Sequence, residues 1–286
     1  MRYVVIHRHR GSMPVRWMCQ ALRVKASGYY SWLRRGESRR RQGDRQLLTE
    51  IRRSFDESDR TYGSPRVLLD LLDWGHQVGI HRVARIMREN RIRAVLRRPR
   101  RPRVRGHSDP VAPNVLQREF TVQQPNQVWV GDITYIWTRA GWLYLSALVD
   151  LFSRRVVAWA TSARITTELT LTVLDRALAV REPAEQLMHH SDQGSQYAAY
   201  PYRTRLKREG ITWSMSRKGN CHDNAVAESF FASLKKERVH RRTYQSREEA
   251  TRDIGDYIDG FYNRRRRHSH LGGISPIEFE RLAAVT

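Results

Sequence analysis

The stretch from residue 188 to residue 236 decides how this chain folds, and it carries two acidic motifs. It opens with MHHSDQGSQY at residues 188–197, an apolar-led run that ends at Asp192 and a Gly/Ser turn. It closes with DNAVAESFFASLKK at residues 223–236, whose apolar spacing predicts an amphipathic helix that carries Glu228. Thirty-five residues lie between Asp192 and Glu228. We therefore expect one acid at the end of a strand and another on a helix.

A third acid, Asp132, lies upstream in VWVGDITYI, residues 128–136, a strand by its composition. An unpaired charge in such a strand costs several kcal/mol, so Asp132 needs a partner. Three converging acids would raise one another's pKa values, whereas a divalent cation would hold them ionised. All-oxygen ligands suit magnesium or manganese, and two such ions can activate a water or a 3′-hydroxyl against a phosphodiester. The acids thus predict a metal-dependent site.

The elements around these acids predict an α/β fold. Two further strands follow the first, at residues 142–150 and 156–160, with a turn at Gly141. The remaining predicted elements are a helix at 167–180, a strand at 186–190, a helix at 200–209, a strand at 211–215, and helices at 225–240 and 248–262. This is the order of elements in the ribonuclease H fold, so residues 125–286 are predicted to form a ribonuclease H-like core, a mixed five-stranded sheet with flanking helices. A capping box, SPIE at residues 275–278, predicts a last helix.

The residues before this core predict an all-α region. Residues 1–44 contain a short helical pair, and residues 45–98 contain three short helices whose spacing resembles a helix-turn-helix domain. Its last helix would place Arg82, Arg85 and Arg88 on the outer face, where they would contact DNA. Residues 99–124 form a predicted basic linker; eight arginines and two prolines between residues 91 and 105 argue against a packed element there.

The charge of the chain points to nucleic acid as the partner. The net charge is +23, of which residues 1–121 carry 28 − 11 = +17 and residues 122–286 carry 24 − 18 = +6. Such charge favours a polyanion, much less often a membrane surface. The two cysteines have no paired spacing, and no apolar run approaches the ~20 residues of a membrane span. We expect a cytoplasmic protein without a membrane partner.

Other sites fit the sequence less well. His189 and His190 beside Asp192 suggest zinc, but no H-x-x-x-H or C-x-x-C accompanies them, and adjacent strand residues point to opposite faces. No G-x-S-x-G supports a serine nucleophile. Each acid alone could serve as a salt-bridge or capping residue. Two alternatives to an enzyme that activates a 3′-hydroxyl stay open: a DNA-binding accessory or regulatory protein, and a metal-dependent nuclease that only hydrolyses.

A set of ordered motifs resembles one family across residues 15–282. The runs are YGSPR at 62–66, WVGDITY at 129–135, VDLFSR at 149–154, HSDQGSQY at 190–197, DNAVAESFF at 223–231, YN at 262–263, RHS at 267–269 and SPIEFE at 275–280. In order and spacing they resemble the OrfB subunit of bacterial insertion sequences whose transposase is encoded in two overlapping frames, OrfA and OrfB. That family is of the DDE type and lies within the retroviral-integrase superfamily.

The resemblance implies a function and a set of residues. It implies that Asp132, Asp192 and Glu228 form the catalytic and metal-binding triad, with two magnesium ions, and that the protein cleaves the ends of its element and transfers the freed 3′-hydroxyl to target DNA. It implies DNA contacts from Lys235 and from a mobile loop at residues 216–224, with these residues: Lys218, Asn220, Asn224. It also implies a bacterial, nucleoid-associated protein that acts as a homo-oligomer on DNA and depends on an OrfA half, or on an OrfAB fusion, for end recognition.

Overall fold

The computed structural model describes residues 2–35, 38–95, 122–181, 183, 186–216 and 224–285. Most of the predicted basic linker lies outside these residues, as do Lys218 and Asn220. The core that contains the sheet begins after the linker, and helices dominate the described chain before it. None of the helices in the described ranges is both long and apolar enough to cross a membrane.

A five-stranded mixed sheet forms the centre of the core, as the sequence predicts. Its strands are β1 (Val128–Thr138), β2 (Gly141–Asp150), β3 (Val156–Ser162), β4 (Met188–Ser191) and β5 (Thr212–Met215). They lie in the order β3-β2-β1-β4-β5, with β1 to β3 antiparallel and β4 and β5 parallel to β1. Gly141 opens the β1–β2 turn with φ +100°, a conformation that L side chains rarely adopt. The two parallel strands then place β4 directly beside β1.

Alternation along the strands gives the sheet two buried faces, each covered by helices. One face packs against α7 (Thr167–Val180), α8 (Ser195–Ala198) and α9 (Tyr200–Arg208). The other packs against α10 (Ala225–Glu237), α11 (Arg247–Gly255) and a π-helical segment, Asp256–Tyr262. The element order is that of a ribonuclease H-like α/β fold. Asp132 lies on the face that α10 covers, because its antiparallel partner is Ala147, a core residue of that face.

Within the described ranges, six helices precede the core and form two small clusters. The helices α1 (Arg2–His9), α2 (Val15–Ala21) and α3 (Ala26–Arg34) pack around Tyr29. The helices α4 (Arg39–Glu57), α5 (Ser64–Asp73) and α6 (Ile80–Glu89) share a second cluster around Ile51 and Leu71. The hydroxyl of Ser38 accepts from the Arg41 amide and caps α4. Because α4 extends from Arg39 to Glu57, it runs through the predicted domain boundary at residue 44.

The three-helix cluster α4–α6 is docked on the C-terminal part of the core. Tyr62 donates its hydroxyl to the Arg265 carbonyl at 3.2 Å and accepts from the Arg267 amide at 2.9 Å. Arg267 also pairs with Asp70 at 2.7 Å and with Asp73. These contacts join residues about two hundred positions apart in sequence. The three-helix cluster α4–α6 and the core are therefore held together by directed polar contacts.

The C-terminal segment closes the core at the free edge of β3. Asn263 accepts from the Val156 amide at 2.9 Å and donates to the Val156 carbonyl at 3.0 Å, so its side chain bonds to the strand as a neighbouring backbone would. The last helix, α12 (Pro276–Ala283), begins after Ser275, whose hydroxyl accepts from the Glu278 amide at 3.3 Å. The predicted cap is confirmed.

Candidate active site

Asp132 lies where β1 runs beyond the end of β4. The parallel pairing of these strands covers only four positions and ends at the pair Gly131–Ser191. The next register step would place Asp132 across from Asp192, which directly follows β4. Thus the carboxyl end of a short parallel strand brings together two acids that are sixty residues apart in sequence.

The electrostatics of Asp132 place three charged groups around it. Burial is the main cause that raises the pKa of this carboxyl to about 8, and the charge of Asp192 raises it further. A hydrogen bond from the Ile133 amide, at 2.7 Å, acts in the opposite direction. Glu228 adds a smaller upward effect and Lys235 a downward one. Asp132 therefore senses both other acids of the predicted triad.

Asp192 occupies a tight turn between β4 and α8. Its side chain is exposed, and it accepts a hydrogen bond from the Gly194 amide at 3.1 Å. The surrounding protein raises the pKa of the carboxyl, while the Gly194 amide opposes that rise. The turn thus fixes the carboxylate at the sheet edge with one face toward solvent.

Helix α10 carries the third acid and a lysine, and it places both near Asp132. Glu228 lies in its first turn and is exposed, and Lys235 lies two turns further on. The Lys235 ammonium is 4.6 Å from the centre of the Tyr135 ring, a cation–π contact with β1. Asn224, at the N-terminus of α10, is buried and donates its side-chain amide to the Gly131 carbonyl at 3.5 Å. Asn224 thus connects the two elements that carry Asp132 and Glu228, and its predicted DNA contact stays a prediction.

The donor set suits a hard divalent cation, although the side chains do not form a ready-made cage. In the part of the chain that the structure describes, no three His, Cys, Asp or Glu side chains are close enough to hold one ion. The three acids offer only oxygen ligands, which magnesium and manganese prefer. The raised pKa of Asp132 marks a place where positive charge would be stabilising. The chemistry of the residues therefore fits such an ion.

The adjacent histidines point to opposite faces of β4, as their position on one strand predicts. His189 is fully buried, hydrogen-bonded to the Tyr202 hydroxyl at 3.0 Å, and burial lowers its pKa to about 3. His190 is fully buried on the opposite face, between the hydroxyls of Ser214 at 2.9 Å and Ser216 at 3.1 Å. Both rings thus bond to hydroxyl groups of the core.

Two features of the site were missed by sequence reasoning. The Nε2 atom of His189 would lie 2.9 Å from a methyl group added at Gly131, so this glycine allows a close approach behind Asp132. A glycine inside an apolar strand was the available signal. The buried phenol of Tyr197, from α8, lies close enough to Asp132 and Asp192 that both charges, added to burial, raise its pKa well above 10. This phenol is therefore uncharged beside the acids at neutral pH.

The predicted DNA-contacting arginines of α6 are engaged inside their own domain. Asp44, on α4, pairs with Arg82 at 2.8 Å and with Arg85 at 2.7 Å, and Arg85 also pairs with Glu89 at 2.9 Å. Arg88 is exposed on the same helix. A role in DNA contact stays a prediction for these residues.

Comparison with known proteins identifies the family. An integrase core domain model matches residues 122–221, a second one matches residues 228–282, and an HTH-like domain model matches residues 42–100. The chain is 45% identical over 263 residues to an uncharacterised 31 kDa protein of insertion element IS600 from Shigella sonnei, covering 92% of this chain and 97% of that protein. It is 40% identical over 283 residues to transposase InsF for insertion sequence IS3A from Escherichia coli, covering 98% of both.

Solved structures give a weaker likeness. A chain of the simian T-cell lymphotropic virus intasome matches with a TM-score of 0.47 and 17% identity, covering 77% of this chain and 70% of that one. The catalytic core domain of BIV integrase matches with a TM-score of 0.40 and 18% identity, covering 56% and 97%. The assignment rests on the sequence relatives and the domain models. By these, the chain belongs to the transposases of IS3-type bacterial insertion sequences, with an HTH-like domain before an integrase core.

Proposed function

We propose that Asp132, Asp192 and Glu228 are the catalytic triad of this transposase. The observation that carries the proposal is the position of Asp132 where the β1–β4 pairing ends, with a carboxyl pKa that both Asp192 and Glu228 raise. Carboxylates that repel one another destabilise the folded protein. A bound cation would remove that repulsion, and the same carboxylates would then bind the cation favourably. The spacing of the same acids in the sequence matches the family motif.

The same three carboxylates would hold magnesium or manganese, which is the cofactor we propose. A bound ion of this kind supplies positive charge to the attacking and leaving oxygens of a phosphodiester. Lys235 lies beside Asp132 and would add a further charge for a phosphate oxygen. The bond from Asn224 to the backbone of β1 would keep Glu228 and Asp132 in register during turnover.

Two consecutive phosphoryl transfers follow from this site. In the first, the oxygen of a water attacks phosphorus at the element end; the bond from phosphorus to the 3′-oxygen breaks, and that oxygen leaves with a proton as a 3′-hydroxyl. In the second, this hydroxyl attacks a phosphorus of target DNA and releases a new 3′-hydroxyl there. The carboxylates would orient the attacking oxygen in each step.

The proposed partners are the ends of the element, target DNA and an OrfA half. The α4–α6 domain and the basic charge before the core support DNA binding. We infer that the protein acts as a homo-oligomer at the bacterial nucleoid, since two element ends must be joined to one target. OrfA, alone or fused to this chain, would supply end recognition and pairing.

The test is a cleavage and joining assay with a labelled oligonucleotide that carries the terminal repeat of the element. Wild-type protein with Mg²⁺ is compared with Asp132→Asn, Asp192→Asn and Glu228→Gln, each with and without OrfA. Glu168→Gln is the control, since Glu168 is an exposed acid in the first turn of α7. We expect nicking and strand-transfer product from wild type and Glu168→Gln, and none from the three triad variants.

Other outcomes identify the alternatives. Nicking without any joined product would identify a nuclease. Product that persists in the triad variants would place catalysis elsewhere. Binding without product, even when OrfA is supplied, would identify an accessory DNA-binding protein.

A further inference from the structure

A continuous groove runs beside the helix that carries Glu228. A cavity of about 590 Å³ lies along the face of α10 that bears Ala225 and Ser229, and a second cavity of about 500 Å³ continues it toward Lys236. The two cavities share five lining residues and are therefore parts of one groove: Arg66, Ser229, Ser233, Arg266, Ser269. Ser229, which lines both cavities, directly follows the predicted catalytic acid Glu228 in sequence.

The groove has three walls from distant parts of the sequence. Arg66 comes from the start of α5, in the HTH-like domain, and Arg154 from the turn after β2. Thr61, Gly63 and Ala94 of the same domain line part of the far cavity. The third wall is the segment after the π helix, through Arg266 and Ser269. The groove therefore exists only because the HTH-like domain is docked on the core.

Positive charge dominates its lining. Four basic side chains, Arg66, Arg154, Lys236 and Arg266, face one acid, Glu237, so the described lining carries 4 − 1 = +3. Both carboxylate oxygens of Glu237 are occupied by Arg266, at 2.7 and 2.8 Å. Arg66 reaches Glu237 only at 3.5 Å. Thus most of the positive charge is available to an anion.

Arg154 is held ready without a carboxylate. Its Nη2 donates to the Nε2 atom of His270 at 2.8 Å, while its Nη1 is buried and has no hydrogen-bond partner in the described part of the chain. Across the described ranges Arg154 forms no ion pair, in contrast to Arg155 beside it, which pairs with Glu280 at 2.8 Å. A buried N–H group without an acceptor, such as Nη1 of Arg154, is costly, and an anionic ligand would remove that cost.

Hydroxyl groups supply neutral donors along the same path. Ser229 and Ser233 lie one turn apart on α10, and Ser269 faces them from the opposite wall. Arginine, lysine and serine side chains are the usual contacts to phosphate oxygens in protein–DNA complexes. The distance from Ser229 to Lys236 along the helix is about 10 Å, long enough to contact consecutive phosphates of one strand.

We propose that this groove binds the sugar-phosphate backbone of the DNA strand that leads away from the scissile phosphate. The proposal rests on the proposed function, because it takes Glu228 as the start of the DNA path. The groove contacts phosphates and reads no bases, so it holds the strand in register for the acids. When the HTH-like domain docks on the core, it therefore completes the groove that binds the cleaved strand.

The experiment measures DNA affinity against salt, without divalent metal, for wild type and variants. Each phosphate contact contributes about −0.9 to the slope of log K against log[salt]. We expect Arg154→Gln to make the slope shallower by about one and to weaken binding uniformly across DNA sequences. The control is Arg208→Gln, which removes the same charge from an exposed position on α9, and we expect it to leave the slope unchanged.

A second pair of variants, at Ser269, leaves Arg154 unchanged. Ser269 is exposed and lines both cavities, so Ser269→Glu adds a carboxylate to the groove while Ser269→Gln adds the same volume without charge. Relative to Ser269→Gln, we expect Ser269→Glu to weaken binding about tenfold at low salt, with less difference at high salt. Thermal unfolding of all variants reports on the fold.

The result that overturns the proposal is wild-type affinity and slope in both Arg154→Gln and Ser269→Glu; a groove for an acidic protein segment would give that result. The cleavage assay separates this failure from a failure of the proposed function. If the wild-type protein nicks DNA while the groove variants keep wild-type affinity and slope, the groove proposal alone is wrong. If the groove variants change the salt slope but the wild-type protein does not nick DNA, the groove binds DNA and the catalytic proposal is wrong.

Discussion

Arg266 and Glu237 form a buried two-point ion pair between the C-terminal segment and the end of α10, with N–O distances of 2.7 and 2.8 Å. Their side chains are only 8% and 5% exposed. The Tyr257 hydroxyl also donates to Glu237, at 2.8 Å. This pair anchors the helix that carries Glu228, so the C-terminal segment belongs to the support of the active site.

Replacing Glu237 by glutamine should destabilise the protein strongly. The change leaves the buried charge of Arg266 without a counter-charge, and breaking such a pair by removing one partner costs about 3–5 kcal/mol. The measurement is the free energy of unfolding from urea titration. Glu209→Gln is the control, because Glu209 pairs with Arg205 within one turn at a partly exposed site, where ion pairs contribute at most about 1 kcal/mol. Equal losses in the two variants would contradict the buried-pair assignment.

The same pair should make stability depend on pH. Burial acts to raise the pKa of Glu237, but the hydrogen bond and charge of Arg266 outweigh it and hold the pKa below its ordinary value of 4.5. A carboxyl with a lowered folded-state pKa stabilises the protein above its unfolded pKa, and that contribution is lost as pH falls through the folded pKa. The stability difference between wild type and Glu237→Gln should therefore be complete near neutral pH and shrink below about pH 4.5. Urea titrations at several pH values measure it; a difference constant down to strongly acidic pH would contradict the lowered pKa.

Gly131→Ala should damage both stability and catalysis. The added methyl would lie 2.9 Å from the Nε2 atom of His189 and 3.1 Å from the Cδ2 atom of Leu148, so β1 or its neighbours must shift. Overpacking of this kind costs about 1–3 kcal/mol. Because Asp132 is the next residue, we expect a nicking rate roughly 10–100-fold lower, as small displacements of reacting groups are costly.

The control for this prediction is Gly260→Ala, at a helical position where an added methyl meets nothing within 4 Å. Its stability should be unchanged or slightly higher. Thermal unfolding and the oligonucleotide assay are measured on both variants. A Gly131→Ala protein with wild-type melting and rate would show that the close approach of His189 is not required.

The sheet and the elements that carry Asp192 and Glu228 were predictable because both depend on local pattern. Alternating apolar residues mark β1 and β2, and a strand that ends at a Gly/Ser turn places Asp192 at a sheet edge. The ribonuclease H order of elements then follows from their succession along the chain. The helical spacing around Glu228 was equally local. Residue pattern alone thus predicted the succession of elements along the chain and the elements that carry the acids.

Long-range polar pairing was not predictable in the same way. The sequence places Arg66, Arg154 and Arg266 on three elements far apart, and only the docked fold brings them to one groove. Likewise, helical periodicity placed Arg82 and Arg85 on an outer face without showing that Asp44, on another helix, holds both. Charge patterns show which partner class is attracted, but the choice between an internal carboxylate and a phosphate depends on tertiary contacts.

That choice gives the last prediction, which concerns Asp44. If Arg82 and Arg85 contact DNA, Asp44 competes with phosphate for them, and Asp44→Asn should raise DNA affinity by roughly 3–10-fold, equivalent to about 1 kcal/mol. The gain should shrink with added salt, since the freed charges are near the surface. Asp56→Asn removes the same charge from the same helix, but its ion-pair partner is Arg60, one turn away. Electrophoretic or fluorescence titration of a DNA duplex should show the gain only for Asp44→Asn; an equal gain in both variants would mean that net charge alone, and not release of the α6 arginines, sets the affinity.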